Sequence, residues 1–255
     1  MLLTGGCSFS DCNDPKAMTW PVHLYHTLQS AGYSEHQSSA LSSQGNGLIS
    51  RGVIYNVIQA LKTHQPQDIL VGVMWSGSDR HDFRCTDPNL LGFVTKQIKN
   101  GWMKNPTGFV KNTEPQWVIL NQHWANENNP EAEAHYHMFH DDIGASIYSI
   151  EHVLRTQWFL QSRSVPYFFS DYIDNNLVAV ENLQHDEVKY LYEQIDRSQY
   201  LPVTSEYNWV RNNSKLLHLW GQKKKDPWHP TTEHHKEFTD QVIMPWLQLK
   251  EYLPG

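Results

Sequence analysis

Two short segments near opposite ends of the chain hold the groups best suited to covalent chemistry. One is a run of small residues around a serine, Gly5-Gly6-Cys7-Ser8-Phe9-Ser10. The other places an acid three residues before a histidine, Asp226-Pro227-Trp228-His229-Pro230. A serine hydroxyl attacks poorly until a histidine takes its proton, and that histidine works best when a carboxylate fixes its tautomer and steadies the imidazolium. Ser8, His229 and Asp226 supply the three groups, with acid and base so close in sequence that one short loop must present both. Ser10 is an alternative nucleophile if the turn is shifted. Cys7 is another as a thiolate, although a small residue at a strand end more often serves packing.

Such residues need a scaffold that brings distant segments together, and the pattern of elements supplies one. Met1–Cys7 is short and apolar and ends at Gly-Gly, which predicts a strand running into a tight turn with Ser8 at its end. Trp20, Val22, Leu24, Leu28 and Ala31 predict a first helix within Pro15–Gly32, and Ile49, Val53, Val57, Ile58 and Leu61 a second over Leu48–Thr63. Between them lie a brief segment near Glu35–Leu41 and the turn Ser42–Gly47. Ile69 through Trp75 is nearly unbroken apolar, as expected of a parallel strand covered on both faces. Residues from about 80 to 130 read as an insertion after this third core strand, with Trp117–Leu120 a short strand or helical turn. Glu131–Arg163 predicts one long helix or two, Val165–Ser170 a further strand, and Gln184–Arg197 and Thr232–Leu249 further helices, the last capped by Thr231 or Thr232. Strands alternating with helices predict an α/β fold, a three-layer α/β/α sandwich around a parallel sheet, as one domain over residues 1–255. In such sheets ligands bind beyond the carboxyl ends of the strands, where this reading puts Ser8, Ser76 and Asp171.

A net charge of −7 argues against a nucleic-acid partner, because phosphate binding needs clustered Lys and Arg. Lys223-Lys224-Lys225 is the one dense basic run and reads as a solvated loop beside Asp226. No window approaches the about 18 apolar residues of a membrane span, and the N-terminus lacks the pattern of a signal peptide, so neither a membrane nor export is expected. Three cysteines without CxxC spacing suggest neither a disulfide framework nor a zinc site, and a reducing compartment fits. His135, His137, His140, Asp141 and Asp142 are the strongest metal-like cluster, with His23 and His26, or His234 and His235, as further nitrogen donors. Without HExxH or a comparable context they read as a solvated or hydrogen-bonded helix surface, and no metal or other cofactor is expected. Trp228 is expected to pack the base loop, and Asp171 to cap or hydrogen-bond at its strand end. Ten Trp, twelve Tyr and fifteen His exceed what a minimal core needs, and flat rings with polar edges suit sugar pockets.

The serine turn and the Asp226–His229 block together resemble the SGNH (GDSL-type) hydrolase superfamily, and the whole resembles a phage-type branch of it. The resemblance rests on strand order and four short blocks, and it implies the flavodoxin-like SGNH fold. It also implies Ser8 as nucleophile, His229 as base and later acid, and Asp226 as its orienting partner. Gly45, in Gln44-Gly45-Asn46-Gly47, is similar to the glycine whose N–H joins that of Ser8 in the oxyanion hole, with Gly47 the alternative register. The chain departs from the family at Cys7, where an aspartate is usual, and after the third strand. There Trp75-Ser76-Gly77-Ser78-Asp79-Arg80 lacks the usual oxyanion-hole asparagine, leaving Ser76, Ser78 or Asn46 to substitute. The implied activity is hydrolysis of an acyl ester, with O-acetyl on a carbohydrate favoured by the aromatic content. The substrate would be a small molecule or glycan ester, met in the cytoplasm or delivered with a virion. The missing asparagine leaves a second expectation, a non-catalytic carbohydrate-binding or virion structural module that keeps the fold.

Overall fold

The computed structural model describes residues 1–12, 18–85, 116–122, 130–175, 177–203, 205–220 and 228–253. Four strands, β1 (Leu2–Gly5), β2 (His36–Ser38), β3 (Leu70–Trp75) and β6 (Tyr167–Asp171), form a parallel sheet in the order β2-β1-β3-β6. Side-chain alternation along the strands divides the core in two. Leu3, Val71, Val73, Trp75, Tyr167 and Phe169 point to one face, where α2 (Asn46–Ala60) packs with Ile49, Val53 and Val57 and α4 (Asp142–Ser162) with Ile150, Val153 and Leu154. Leu2, Leu70, Met74 and Phe168 point to the other. That face is covered by α1 (Trp20–Gln29) through Leu24 and Leu28, and by the C-terminal helices α7 (Thr232–Phe238) and α8 (Met244–Leu249) through Phe238 and Leu247. The parallel sheet with helices on both faces is therefore as the sequence predicts. Gly72 lets the layers meet, since a Cβ there would stand 2.5 Å from Phe168 Cζ.

The structure decides two open alternatives and breaks one expected helix. The long helical stretch is two helices, α3 (Pro130–Met138) and α4, because Asp141 caps α4 by accepting the Gly144 N–H at 2.8 Å. A π-helical turn, Thr239–Ile243, separates α7 from α8. Pro245, near the start of α8, has no N–H to continue the ladder, which accounts for the widened turn before it. The inserted region begins with β4 (His81–Cys85), paired antiparallel with β5 (Gln116–Leu120), so Trp117–Leu120 is strand rather than helical turn. Two further short helices, α5 (Asp186–Tyr192) and α6 (Glu206–Asn213), follow β6. Among the described residues no helix is long and apolar enough to cross a membrane.

Candidate active site

In the strand order β2-β1-β3-β6, successive strands leave β1 on opposite sides, so β1 ends at the topological switch point, where an α/β sheet opens a crevice. Ser8 stands there, at the start of a single 3-10 turn, Ser8–Ser10, that follows β1. The turn is tightly held. Gly6 must be glycine, because a Cβ would lie 2.4 Å from Ser10 Oγ and 2.9 Å from the Met74 carbonyl. The Gln44 amide donates to the Gly6 and Ser39 carbonyls at 2.6 and 2.9 Å, and Asp11 accepts both the N–H and the hydroxyl of Ser42.

His229 reaches this turn from the far end of the chain, with its Nε2 2.8 Å from Ser8 Oγ. The residues that follow it are anchored firmly. Thr231 caps α7, and its N–H donates to His234 Nδ1 at 3.1 Å, which leaves His234 Nε2–H to donate to the Leu216 carbonyl at 2.9 Å. His23 of α1 bonds the Thr232 carbonyl at 3.1 Å. The Phe9 ring packs against the His229 ring, with centroids 5.1 Å apart, and against Tyr172 at 5.2 Å. Ser8 and His229 are both half-buried, so the pair is shielded without being sealed. Asp226 and the Lys223–Lys225 run lie outside the described residues.

The alternative nucleophiles have other duties. Ser10 is fully buried, and its Oγ accepts the Trp20 indole N–H at 2.8 Å. Cys7 is equally buried within the apolar cluster below Ser8.

Gly45, Asn46 and Ser76, nominated as oxyanion donors, each have hydrogen-bond partners of their own. The Gly45 N–H is committed to Asp82 Oδ1 at 3.1 Å, while Asp82 Oδ2 accepts the Leu48 N–H at 2.8 Å. Asp82, arriving on β4, thus caps the N-terminus of α2 with its carboxylate. Burial raises its pKa to about 6, against the opposing pull of the two amides, Arg51 and Arg80. Asn46 is also occupied. Its Nδ2 donates to the Ser76 carbonyl and to Ser149 Oγ, and its Oδ1 accepts the Ser76 N–H at 2.7 Å, which staples the end of β3 to α2. Gly47 lies within the first turn of α2 rather than at its edge. Ser76 is fully buried, and its Oγ accepts from Arg80 Nη1 at 2.8 Å. The Ser8 N–H meets no acceptor among the described residues. Arg80 lies beside the Cys7 sulfur and 5.1 Å from the centre of the Tyr172 ring. Neither Asp82 nor Arg80 was singled out from sequence.

The remaining expectations sort by burial. His140 is hydrogen-bonded to His81 Nε2 at 3.1 Å rather than solvated, and burial together with His135 and His140 pushes the His81 pKa down to about 4. His235 pairs with Glu206 at 2.6 Å beneath the Phe9 ring, both being buried. Trp228 is 70% exposed and so adds little burial to the loop it occupies. Asp171 was expected to cap or hydrogen-bond, but its buried Oδ1 has no partner among the described residues. Desolvation pushes its pKa up to about 7, with Arg197 pulling it down and Asp174 adding to the rise.

No family model matches the chain, and no curated protein is significantly similar to it. The chemistry of the site rests on its own geometry.

Proposed function

We propose that the chain is a serine ester hydrolase of the SGNH type, cleaving an acyl ester through an acyl-enzyme. The observation that carries this reading is the 2.8 Å approach of His229 Nε2 to Ser8 Oγ, made between residues 221 positions apart and set at the switch point of the sheet. A hydroxyl with an imidazole at that distance has a base for its proton as it attacks a carbonyl. Ser8 Oγ bonds to the acyl carbon while its proton passes to His229 Nε2. The negative oxygen of the tetrahedral adduct is met by the Ser8 N–H, with the Arg80 charge in support. His229 then protonates the departing alcohol; water next attacks the acyl-serine as His229 takes its proton, and collapse of that second adduct breaks the acyl–Oγ bond, releasing the acid as His229 returns the proton to Ser8 Oγ. Asp226 is the carboxylate assigned to orient His229. An O-acetylated carbohydrate is the proposed substrate class, and a cytoplasmic or virion-delivered role is part of the same reading.

The test is turnover of p-nitrophenyl acetate by wild type, Ser8→Ala and His229→Ala. Loss of turnover in both variants is expected, and equal rates in all three would remove the mechanism.

One specific observation favours a second reading, a non-catalytic carbohydrate-binding or virion structural module. The Gly45 N–H and the Asn46 side chain are committed to Asp82, Ser76 and Ser149 and do not face a developing oxyanion. Absence of fluorophosphonate labelling at Ser8, together with glycan retention, would favour this module over the hydrolase.

A further inference from the structure

Where the inserted strand β4 meets α3, three imidazoles from separate parts of the chain are packed together. His81 opens β4, and its Nε2 lies 3.1 Å from Nδ1 of His140, which sits in the link between α3 and α4. The His81 ring meets those of His135 on α3 and His140 edge-on, with centroids 4.8 and 5.3 Å apart. Phe83 and Tyr136 enclose His135, their rings 5.0 and 5.1 Å from its own, and its Nε2 is buried with no hydrogen-bond partner among the described residues. The Tyr136 hydroxyl donates to the Asp79 carbonyl and so ties α3 to the approach of β4. Among the described residues no three His, Cys, Asp or Glu side chains are placed to share a metal ion. The hydrolase reading uses none of these histidines.

We propose that the His81–His140 contact is an acid-released latch between the inserted strand and α3: acidification charges both rings and opens the packing there. A hydrogen bond between two imidazoles holds one proton, since one nitrogen must donate and the other accept. Two imidazolium rings leave no acceptor and put like charges on nitrogens that stand 3.1 Å apart. The surrounding groups do little to offset this. Asp142, at the start of α4, has its Oδ1 3.6 Å from His140 Nε2, but it is exposed to water and only weakly favours charging His140 first. Asp141 caps α4, Asp79 and Arg80 carry opposite charges just before β4, and Asp82 is committed to the α2 amides. His152 of α4 is a further base within reach of the His81 charge, and Tyr136 is a neutral phenol. Burial together with His135 and His140 holds His81 near 4, so between pH 6.5 and pH 4 the opened state takes up a proton that the closed state refuses. The latch therefore weakens as pH falls through that window and is indifferent to pH above it.

The test is hydrogen exchange read by mass spectrometry on the full chain in EDTA, at about pH 7.5 and pH 5, with each rate corrected for intrinsic exchange. The opening constant of peptides from β4 and α3, taken as wild type over His81→Gln, should rise about 30-fold on going to the lower pH, the amount set by a pKa of about 4 in the closed state against 6.5 in the open one. Asp82, whose raised pKa acts in the opposite sense, is present in both proteins and drops out of the ratio. Peptides from β1 and β3 should show no such rise. A ratio that stays level with pH, or one that rises equally in β1 and β3, would overturn the proposal. If His81→Gln does not fold, the comparison is made with His140→Gln, in which an amide oxygen can accept from a charged His81. A rise of less than about threefold in wild type over that variant would overturn the proposal in the same way. Ser8→Ala should open as wild type does, so failure of the hydrolase reading and failure of the latch are read separately.

Discussion

Replacing Asp82 by asparagine probes the link between the inserted strand and the helix that borders the active site. Burial raises the Asp82 pKa from 3.8 to about 6, despite two amide hydrogen bonds to its carboxylate. Between about pH 4 and pH 6 the folded protein holds this proton and the unfolded chain has released it, so stability falls as pH rises through that window and is level above it. A rise of this size is worth about 3 kcal/mol when the whole titration is spanned. The asparagine side chain cannot ionise, and losing one of the two caps on α2 costs a pH-independent amount of about 1 kcal/mol. The difference in unfolding free energy, wild type minus Asp82→Asn, cancels every other titrating group. It should therefore fall by about 2–3 kcal/mol between pH 4 and pH 7. Urea denaturation of both proteins at several pH values measures it. A difference that stays constant across the range, or that grows with pH, would refute the burial argument and with it the reading of Asp82 as a desolvated cap.

Three other outcomes follow from the packing and the site. Gly72→Ala places a methyl group 2.5 Å from the Phe168 ring and should destabilise by about 1–3 kcal/mol, seen as a lower urea midpoint with unchanged slope. Glu206→Ala leaves His235 buried without its 2.6 Å partner and should cost about 3–5 kcal/mol, measured the same way. Arg80→Gln removes the cation beside Cys7 and Ser76, and under the hydrolase reading kcat should fall by about 10²-fold with little change in KM.

What could be read from sequence follows how local each signal is. β3 and β6 are continuous apolar runs, so their burial on both faces was visible before folding. β2 consists of His36-Gln37-Ser38 and carries no such signal; it is a strand because Leu2, Leu3 and Thr4 present their backbone groups beside it. α6 is equally polar, and Ser205 capping the Asn208 N–H at 3.2 Å is the local mark of its start. At the site, Ser8 and His229 stood out because their chemistry is rare and their flanking residues distinctive. The commitment of Gly45 and Asn46 to Asp82 and Ser76 was not legible, because it depends on where an insertion with weak patterning lays β4 against α2. Arg80 escaped notice for the same reason: its meaning comes from Cys7 and Tyr172, neighbours supplied by two other strands.

The central claim is that His229 activates Ser8, and covalent trapping reads it most directly. A fluorophosphonate incubated with wild type should form a single adduct, located by peptide mass spectrometry on the peptide containing Ser8, and labelling should be lost in both Ser8→Ala and His229→Ala. Undiminished labelling of His229→Ala, or an adduct at any other residue, would contradict the account.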